Sequence, residues 1–292
     1  MTAPFGQRLA EAVAVRGPLC VGIDPHPPLL ASWGLGDDAD GLARFTDAVV
    51  DALAGSVAVL KPQIAFYERH GSRGLAVLED GVARARAAGA LVLLDAKRGD
   101  IGSTMDAYAD YLRPGHPLSV DAMTVSPYLG PGSLQPAVDT ARQHGGGLFV
   151  LARTSNPDAG TLQHALAGER STAQVVVDTV RGWNTPGWVV GDPLPELGSV
   201  RDLATRFGPA TGSFGVVVGA TLRDLDVDLA GLGGPVLAPG LGAQGGAVSD
   251  LRRLFGDGVA VVPTVSRDVL GAGPDPAALR AAADRWAEAL SA

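Results

Sequence analysis

The sequence is short of lysine. Only Lys61 and Lys97 occur in 292 residues, and the other 21 of its 23 basic residues are arginine. Cysteine is scarcer still: Cys20 stands alone, which excludes an intrachain disulfide and a cysteine metal cluster. It falls in the strand-like run "PLCVGID" and reads as buried packing. No apolar stretch approaches the ~20 residues a membrane helix needs. The start, "MTAPFGQRLAEAV", has no basic-then-apolar signal pattern, and a cytoplasmic location is expected. Aromatic residues make up 5% of the chain with no interleaved basic stripe, and the formal charge is −8. General affinity for nucleic acid or an anionic membrane is therefore not expected. None of the five histidines forms an HxxxH or HxH pair, so no histidine metal site is visible. Also missing are GxxxxGK[ST], a GxGxxG after the first strand, and the GxSxG nucleophile elbow.

What is present is a regular alternation. Eight short apolar runs read as strands: "LCVGID" (19–24), "VAVLKP" (57–62), "ALVLLDAK" (90–97), "DAMTVSP" (121–127), "GLFVLART" (147–154), "FGVVVGAT" (214–221), "GPVLAPG" (234–240) and "VAVVPTV" (259–265). Continuous apolar runs suit strands buried on both faces of a parallel sheet. The segments between them read as helices. In "LARFTDAVVDAL", Phe45, Val49 and Leu53 share one face. "AVLEDGVARARAAG" and "AALRAAADRWAEAL" follow the same pattern. Eight alternations predict an α/β fold, a single-domain (β/α)8 TIM barrel over 1–292, with an open doubly wound sheet as the runner-up. The long gap from about 155 to 213 reads as an elaborated connection after strand five. It holds a helical piece, "TAQVVVDTVRGW", and "GWVVG", a possible ninth strand. The stretch 31–40, "ASWGLGDDAD", reads as a loop.

A barrel places its chemistry at the C-terminal ends of its strands. Those ends carry Asp24, Lys61, Asp95 and Lys97, then Arg153, Thr154 and Ser155, the loop "PGLGAQGG" (239–246), and Ser266 with Arg267. Both lysines fall on this set. Arginine holds its proton too tightly to serve as an acid near neutrality, whereas lysine can be tuned. The plainer reading makes both lysines structural partners of buried aspartates, a part arginine could also fill. Residues 95 and 97 are two apart, so an extended strand would point both to one side. Asp95, Lys97 and Asp100, with Lys61, would then form an array of two negative and two positive charges, tolerable away from water only if each is paired. The glycine loop would offer free N–H groups to an anion, with Gln244, Gly245 and Arg267 completing a phosphate grip.

These residues carry a resemblance. "GIDPHP" (22–27), "LKPQIAFYERHG" (60–71), "LLDAKRGDIGST" (93–104), "VSPYLG" (125–130), "ARTSNP" (152–157), "VVVGAT" (216–221), "APGLGAQGG" (238–246) and "PTVSRDVL" (263–270), in this order, resemble the orotidine 5′-phosphate decarboxylases, and most of all their longer bacterial branch. The resemblance implies cofactor-free conversion of orotidine monophosphate to uridine monophosphate in pyrimidine biosynthesis. Lys97 would donate the proton to C6, and Asp95 would sit beside the departing carboxylate. Lys61 would hold Asp95 and the ribose hydroxyls, and Asp24 would bind a ribose hydroxyl. Ser155 would hold the pyrimidine, while Gln244 and Arg267 would hold the phosphate. Asp100, Ile101 and Thr104 would reach into a partner's site, making a homodimer. Ser266 stands where many relatives carry glycine. No metal is implied.

Two alternatives stay open. A magnesium-dependent phosphosugar lyase shares Asp-x-Lys-x-x-Asp, but would favour an acidic residue beside the lysine of strand two, where this chain reads "LKPQIAF". A non-catalytic nucleotide-binding barrel would need the phosphate grip but not the charged array. Phe66 and Tyr67 read as core or subunit-contact residues, and His26 as structural or solvated.

Overall fold

A computed structural model describes residues 2–188, 212–256 and 258–291. All eight anticipated runs contain strands, most of them shorter than the run, while the third extends one residue further, to Arg98. They are β1 (Cys20–Ile23), β2 (Val59–Pro62), β3 (Leu91–Arg98), β4 (Ala122–Val125), β5 (Gly147–Arg153), β8 (Phe214–Val218), β9 (Val236–Pro239) and β10 (Val261–Val265). Each pairs in parallel with its neighbours, and β1 meets β10 to close the barrel. The open-sheet alternative is excluded by that closure. β6 (Leu166–Ala167) and β7 (Arg170–Ser171) form a small antiparallel hairpin outside the barrel.

Two apolar sets hold the barrel together, because alternate side chains of each strand point to opposite sides. Outward residues such as Val21, Leu60, Val92, Met123, Val150 and Val216 pack under the helices. The helix Ala39–Leu53 meets them with Leu42, Phe45, Val49 and Leu53, all fully buried. Its start is fixed by Asp38, whose carboxylate accepts the Gly41 N–H at 2.8 Å. Inward residues Cys20, Val59, Leu91, Leu93, Phe149, Val217, Leu237 and Val262 fill the lumen. Cys20 is buried as expected, and burial pushes its thiol up to about 12.

The N-terminal helix Phe5–Arg16, which the sequence pattern did not announce, plugs the N-terminal mouth of the barrel. Phe5 meets Phe149 edge-on with ring centroids 5.9 Å apart. Burying such a ring contributes roughly 2–3 kcal/mol. Arg8 anchors the helix through the Asp121 carboxylate at 2.5 Å and the Gly145 carbonyl at 2.9 Å. With that end plugged, the pocket lies at the C-terminal end of the barrel.

The connection after β5 is elaborated, as anticipated. Its described part contains the short helix Gly160–Gln163, the β6–β7 hairpin and the helix Thr172–Trp183. The candidate ninth strand "GWVVG" (187–191) lies mostly outside the described residues. The stretch 31–40 is not purely a loop. The helix Pro27–Ser32 runs into it, and the helix Ala39–Leu53 begins before it ends. Gly34, at φ +69°, ends the first helix, with the Leu35 N–H on the Leu30 carbonyl, and the Asp38 cap starts the second. Among the described residues, no helix is long and apolar enough to cross a membrane.

Candidate active site

The open end of the barrel holds a pocket of about 240 Å³. Its floor is apolar, from Leu151, Val217 and Leu237 on the lumen side of β5, β8 and β9. Its walls are polar, from Asp24, Lys61, Gln63, Asp95, Lys97, Thr124, Gln244, Thr264, Ser266 and Arg267. Six of the eleven residues anticipated for the site line this one pocket, Asp24, Lys61, Asp95, Lys97, Gln244 and Arg267, while Ser155 is exposed next to the lining residue Thr154 and packs on Gly219.

The centre is a triad of charges. Asp95 receives Lys61 Nζ on Oδ2 at 3.2 Å and Lys97 Nζ on Oδ1 at 2.6 Å. Thr124 Oγ1 donates to Asp95 Oδ1 at 2.9 Å and accepts the Lys97 N–H, also at 2.9 Å. Burial alone would raise the Asp95 carboxyl. The two ammonium groups and the Thr124 hydroxyl outweigh it and hold Asp95 well below the usual carboxylate range. Burial alone would likewise lower Lys61, but Asp95, followed by Asp24, holds it above the usual lysine range. Both charges persist in the interior because each has a partner.

The two lysines differ in access. The Lys61 side chain is 6% exposed and the Lys97 side chain 45%. Their backbones differ as well. Lys61 sits in regular strand, paired with Gly22 across β1. Lys97 has φ of +49°, the only positive φ outside glycine among the described residues. The register of β3 on β4 shifts between Leu94 and Arg98. Asp95 and Lys97 thus reach the same pocket through a left-handed kink, not through the plain alternation of an extended strand. A non-glycine residue in that conformation costs about 1–2 kcal/mol, and such strain persists where the surroundings fix it. Here the Thr124 bond to the Lys97 N–H supplies one fixing contact.

Asp100 does not join this array. The chain turns out of the pocket at Gly99, where an ideal Cβ would lie 2.2 Å from the Ser126 carbonyl oxygen, so no side chain fits. The Asp100 carboxylate accepts the Ile101 N–H at 2.8 Å instead. Ile101 is 62% exposed, and Thr104 is exposed at the start of the helix Gly102–Ala109. All three follow the end of β3, and Tyr128 and Leu129, which follow the end of the neighbouring β4, are exposed as well.

The glycine loop also departs from expectation. The Gly242 N–H bonds the Gly246 carbonyl, Gly246 bonds Gly240, and Gly245 bonds Gly242 at 2.6 Å. The Ala243 N–H bonds the Asp268 carboxylate. These N–H groups are occupied within the loop and its support, so Gly245 supplies turn geometry rather than a free donor. That leaves the side chains of Gln244 and Arg267 facing the pocket. Arg267 makes no ion pair among the described residues. Beside Arg267, Ser266 Oγ and, across Gly22, Asp24 Oδ1 are buried with no hydrogen-bond partner among the described residues. Groups of that kind are polar contacts available to a ligand.

A pocket lined by an arginine without an ion pair, a lysine–aspartate–lysine triad and unpaired polar atoms suits a polar ligand bearing an anionic group. The comparisons agree with this. A family profile described as "Orotidine 5'-phosphate decarboxylase / HUMPS family" matches residues 17–282. The chain belongs to that family. The orotidine 5′-phosphate decarboxylase of Salinispora arenicola is 58% identical, with 96% of this chain and 95% of that protein covered. The protein of the same name from Streptomyces coelicolor is 57% identical over 97% of this chain and 96% of its own length. A Streptomyces avermitilis structure, solved under that provisional name, is 56% identical and superposes with a TM-score of 0.89, covering 99% of this chain and 95% of that one. The likeness therefore spans the barrel and not a single motif.

Thr124 and Gln63 were not anticipated as site residues. Thr124 sits inside the apolar run "DAMTVSP", where one inward hydroxyl looks like ordinary strand composition. Its readable signal was position, one residue before the end of β4. Tyr67 is fully buried, a core residue, and His26 packs against the Phe66 ring at 4.3 Å.

Proposed function

We propose that this chain decarboxylates orotidine 5′-monophosphate to uridine 5′-monophosphate, with Lys97 as the proton donor. The observation that carries the assignment of Lys97 is the difference in access between the two lysines. Each touches the Asp95 carboxylate and lines the pocket, but only Lys97 is also open to water. A donor must meet the substrate and regain its proton from solvent after each turnover. Lys61, sealed at 6% exposure, suits an anchoring charge instead.

In the reaction the C6–carboxylate bond breaks and carbon dioxide leaves. The electron pair stays on C6, and the Lys97 ammonium stabilises it and then delivers a proton to it. Fixed charge aimed at developing charge in a water-poor site is a strong catalytic term, and positioned proton transfer adds typically 10²–10⁴-fold. Asp95 keeps Lys97 aimed, while Lys61 keeps Asp95 ionised. Asp24, with its unpaired oxygen, binds a ribose hydroxyl, and Ser155 binds the pyrimidine. Gln244 and Arg267 grip the phosphate, and that distant grip orders the reacting ring. The scheme needs no cofactor and no metal ligand. Gln63, neutral and in the pocket beside β2, takes the place where the magnesium-dependent alternative would favour an acid.

Asp100, Ile101 and Thr104 belong in this proposal to the partner's site, in a homodimer of single-domain 1–292 barrels. Their outward direction and the exposed apolar side chains of Ile101, Tyr128 and Leu129 support that reading. The direct test is absorbance-monitored turnover of orotidine monophosphate. A folded protein that binds uridine monophosphate without turnover would overturn the decarboxylase reading in favour of a nucleotide-binding barrel.

A further inference from the structure

The loop Gly240–Gly246 and the turn after β10 each contribute one side chain to the proposed phosphate grip, Gln244 from the first and Arg267 from the second. They are separate pieces of chain, and a two-sided grip works only if their spacing is fixed. One residue joins them. Asp268 follows Arg267 at the start of the short helix Arg267–Leu270, and its carboxylate turns away from the pocket to the back of the loop. Its Oδ1 accepts the Ala243 N–H at 3.0 Å. Its Oδ2 packs on Gly242, where an ideal Cβ would lie only 2.1 Å from that oxygen. Gly242 also has φ of +70°, and Trp286 of the C-terminal helix Pro276–Ser291 closes the same spot, with Cζ2 3.1 Å from that Cβ position. Gly242 thus lets a carboxylate and an indole reach the loop backbone, one residue before the bonded Ala243 and two before Gln244.

We propose that Asp268 is a positioning residue that locks the Gln244 loop to Arg267 and so sets the geometry of the phosphate grip. It touches no substrate. Its effect passes through the Ala243 N–H to Gln244, and through the backbone to Arg267. This rests on the proposed phosphate end of the pocket, and the test separates the two ideas. Without the carboxylate, Ala243 loses its partner and the loop keeps only its internal bonds, so binding must first order it. That penalty falls on ligands that carry a phosphate and spares those that do not.

The experiment compares dissociation constants for uridine monophosphate and uridine in wild type, Asp268→Ala and Asp268→Asn, with thermal melting as a fold control. Asp268→Ala should weaken uridine monophosphate about tenfold, the scale of one lost charge-assisted hydrogen bond, and leave uridine unchanged. Asp268→Asn retains an acceptor oxygen for the Ala243 N–H and should recover most of the loss. Equal weakening of nucleotide and nucleoside, or no weakening in Asp268→Ala, would overturn the proposal. A wild type that prefers uridine monophosphate to uridine by no margin would instead overturn the phosphate assignment itself.

Discussion

Replacing Asp95 with asparagine keeps the shape of the side chain and deletes the charge that both lysines share. The Lys61 ammonium lies 3.2 Å from Asp95 Oδ2 and its side chain is 6% exposed. At an effective dielectric of about 20, that separation corresponds to roughly 5 kcal/mol of attraction. Lys97 is closer, but its side chain is 45% exposed, so solvent screening reduces its share to about 1 kcal/mol or less. Removing one partner of a buried pair costs about 3–5 kcal/mol, because the other charge stays behind. In a protein of this size, the melting temperature should fall by on the order of 6–10 °C.

The pH dependence should change too. In the wild type Asp95 is held below its ordinary range, so its contribution is full above about pH 4 and is lost as pH falls through the depressed folded value. Lys61 is held above its ordinary range, so its contribution is full below about pH 10 and is lost as pH rises through the raised folded value. Stability between these limits should be nearly flat from this pair. In Asp95→Asn the main counter-charge is gone and burial pulls Lys61 down. Stability of the variant should then climb with pH toward about 10, narrowing its gap to wild type. Urea unfolding followed by circular dichroism near neutrality and near pH 9 reads both quantities. A variant as stable as wild type, with the same flat profile, would refute the paired-charge account of the site.

Other consequences follow from single contacts. Thr124→Val removes the bonds to Asp95 and to the Lys97 N–H. It should cost about 1–2 kcal/mol by urea unfolding and lower kcat more than it raises KM. Arg267→Ala should weaken uridine monophosphate by roughly 10–100-fold in a calorimetric titration, the range of a lost charged hydrogen bond, while uridine binds as before. Mixing inactive Lys97→Ala and Asp100→Asn subunits and letting them exchange should restore up to roughly one quarter of wild-type turnover, since each mixed dimer regains one complete site. Failure to recover activity in dimers shown to be mixed would remove Asp100 from the shared site.

The barrel was legible because its strands are buried on both faces and so appear as unbroken apolar runs. Scarcity did the rest: when arginine serves nearly everywhere else, two lysines at two strand ends stand out. The N-terminal plug was not legible, since Phe5 gains meaning only once Phe149 lines a lumen. Nor was the kink at Lys97, because no glycine marks it and only the register shift against β4 produces it. Asp100 lies three residues from Lys97 in sequence, yet Gly99 steers the chain away. The glycine loop promised free N–H groups, but its own carbonyls and Asp268 take those of Gly242, Ala243, Gly245 and Gly246, which composition cannot reveal.

The central claim is that Lys97 acts by giving up a proton and not by charge alone. Turnover of orotidine monophosphate in the presence of EDTA by wild type, Lys97→Ala and Lys97→Arg tests it most directly. The account predicts undiminished wild-type turnover and a loss of at least about 10²-fold in both variants, because arginine keeps the charge but cannot release the proton. Near-wild-type activity in Lys97→Arg, or wild-type turnover abolished by the chelator, would contradict it.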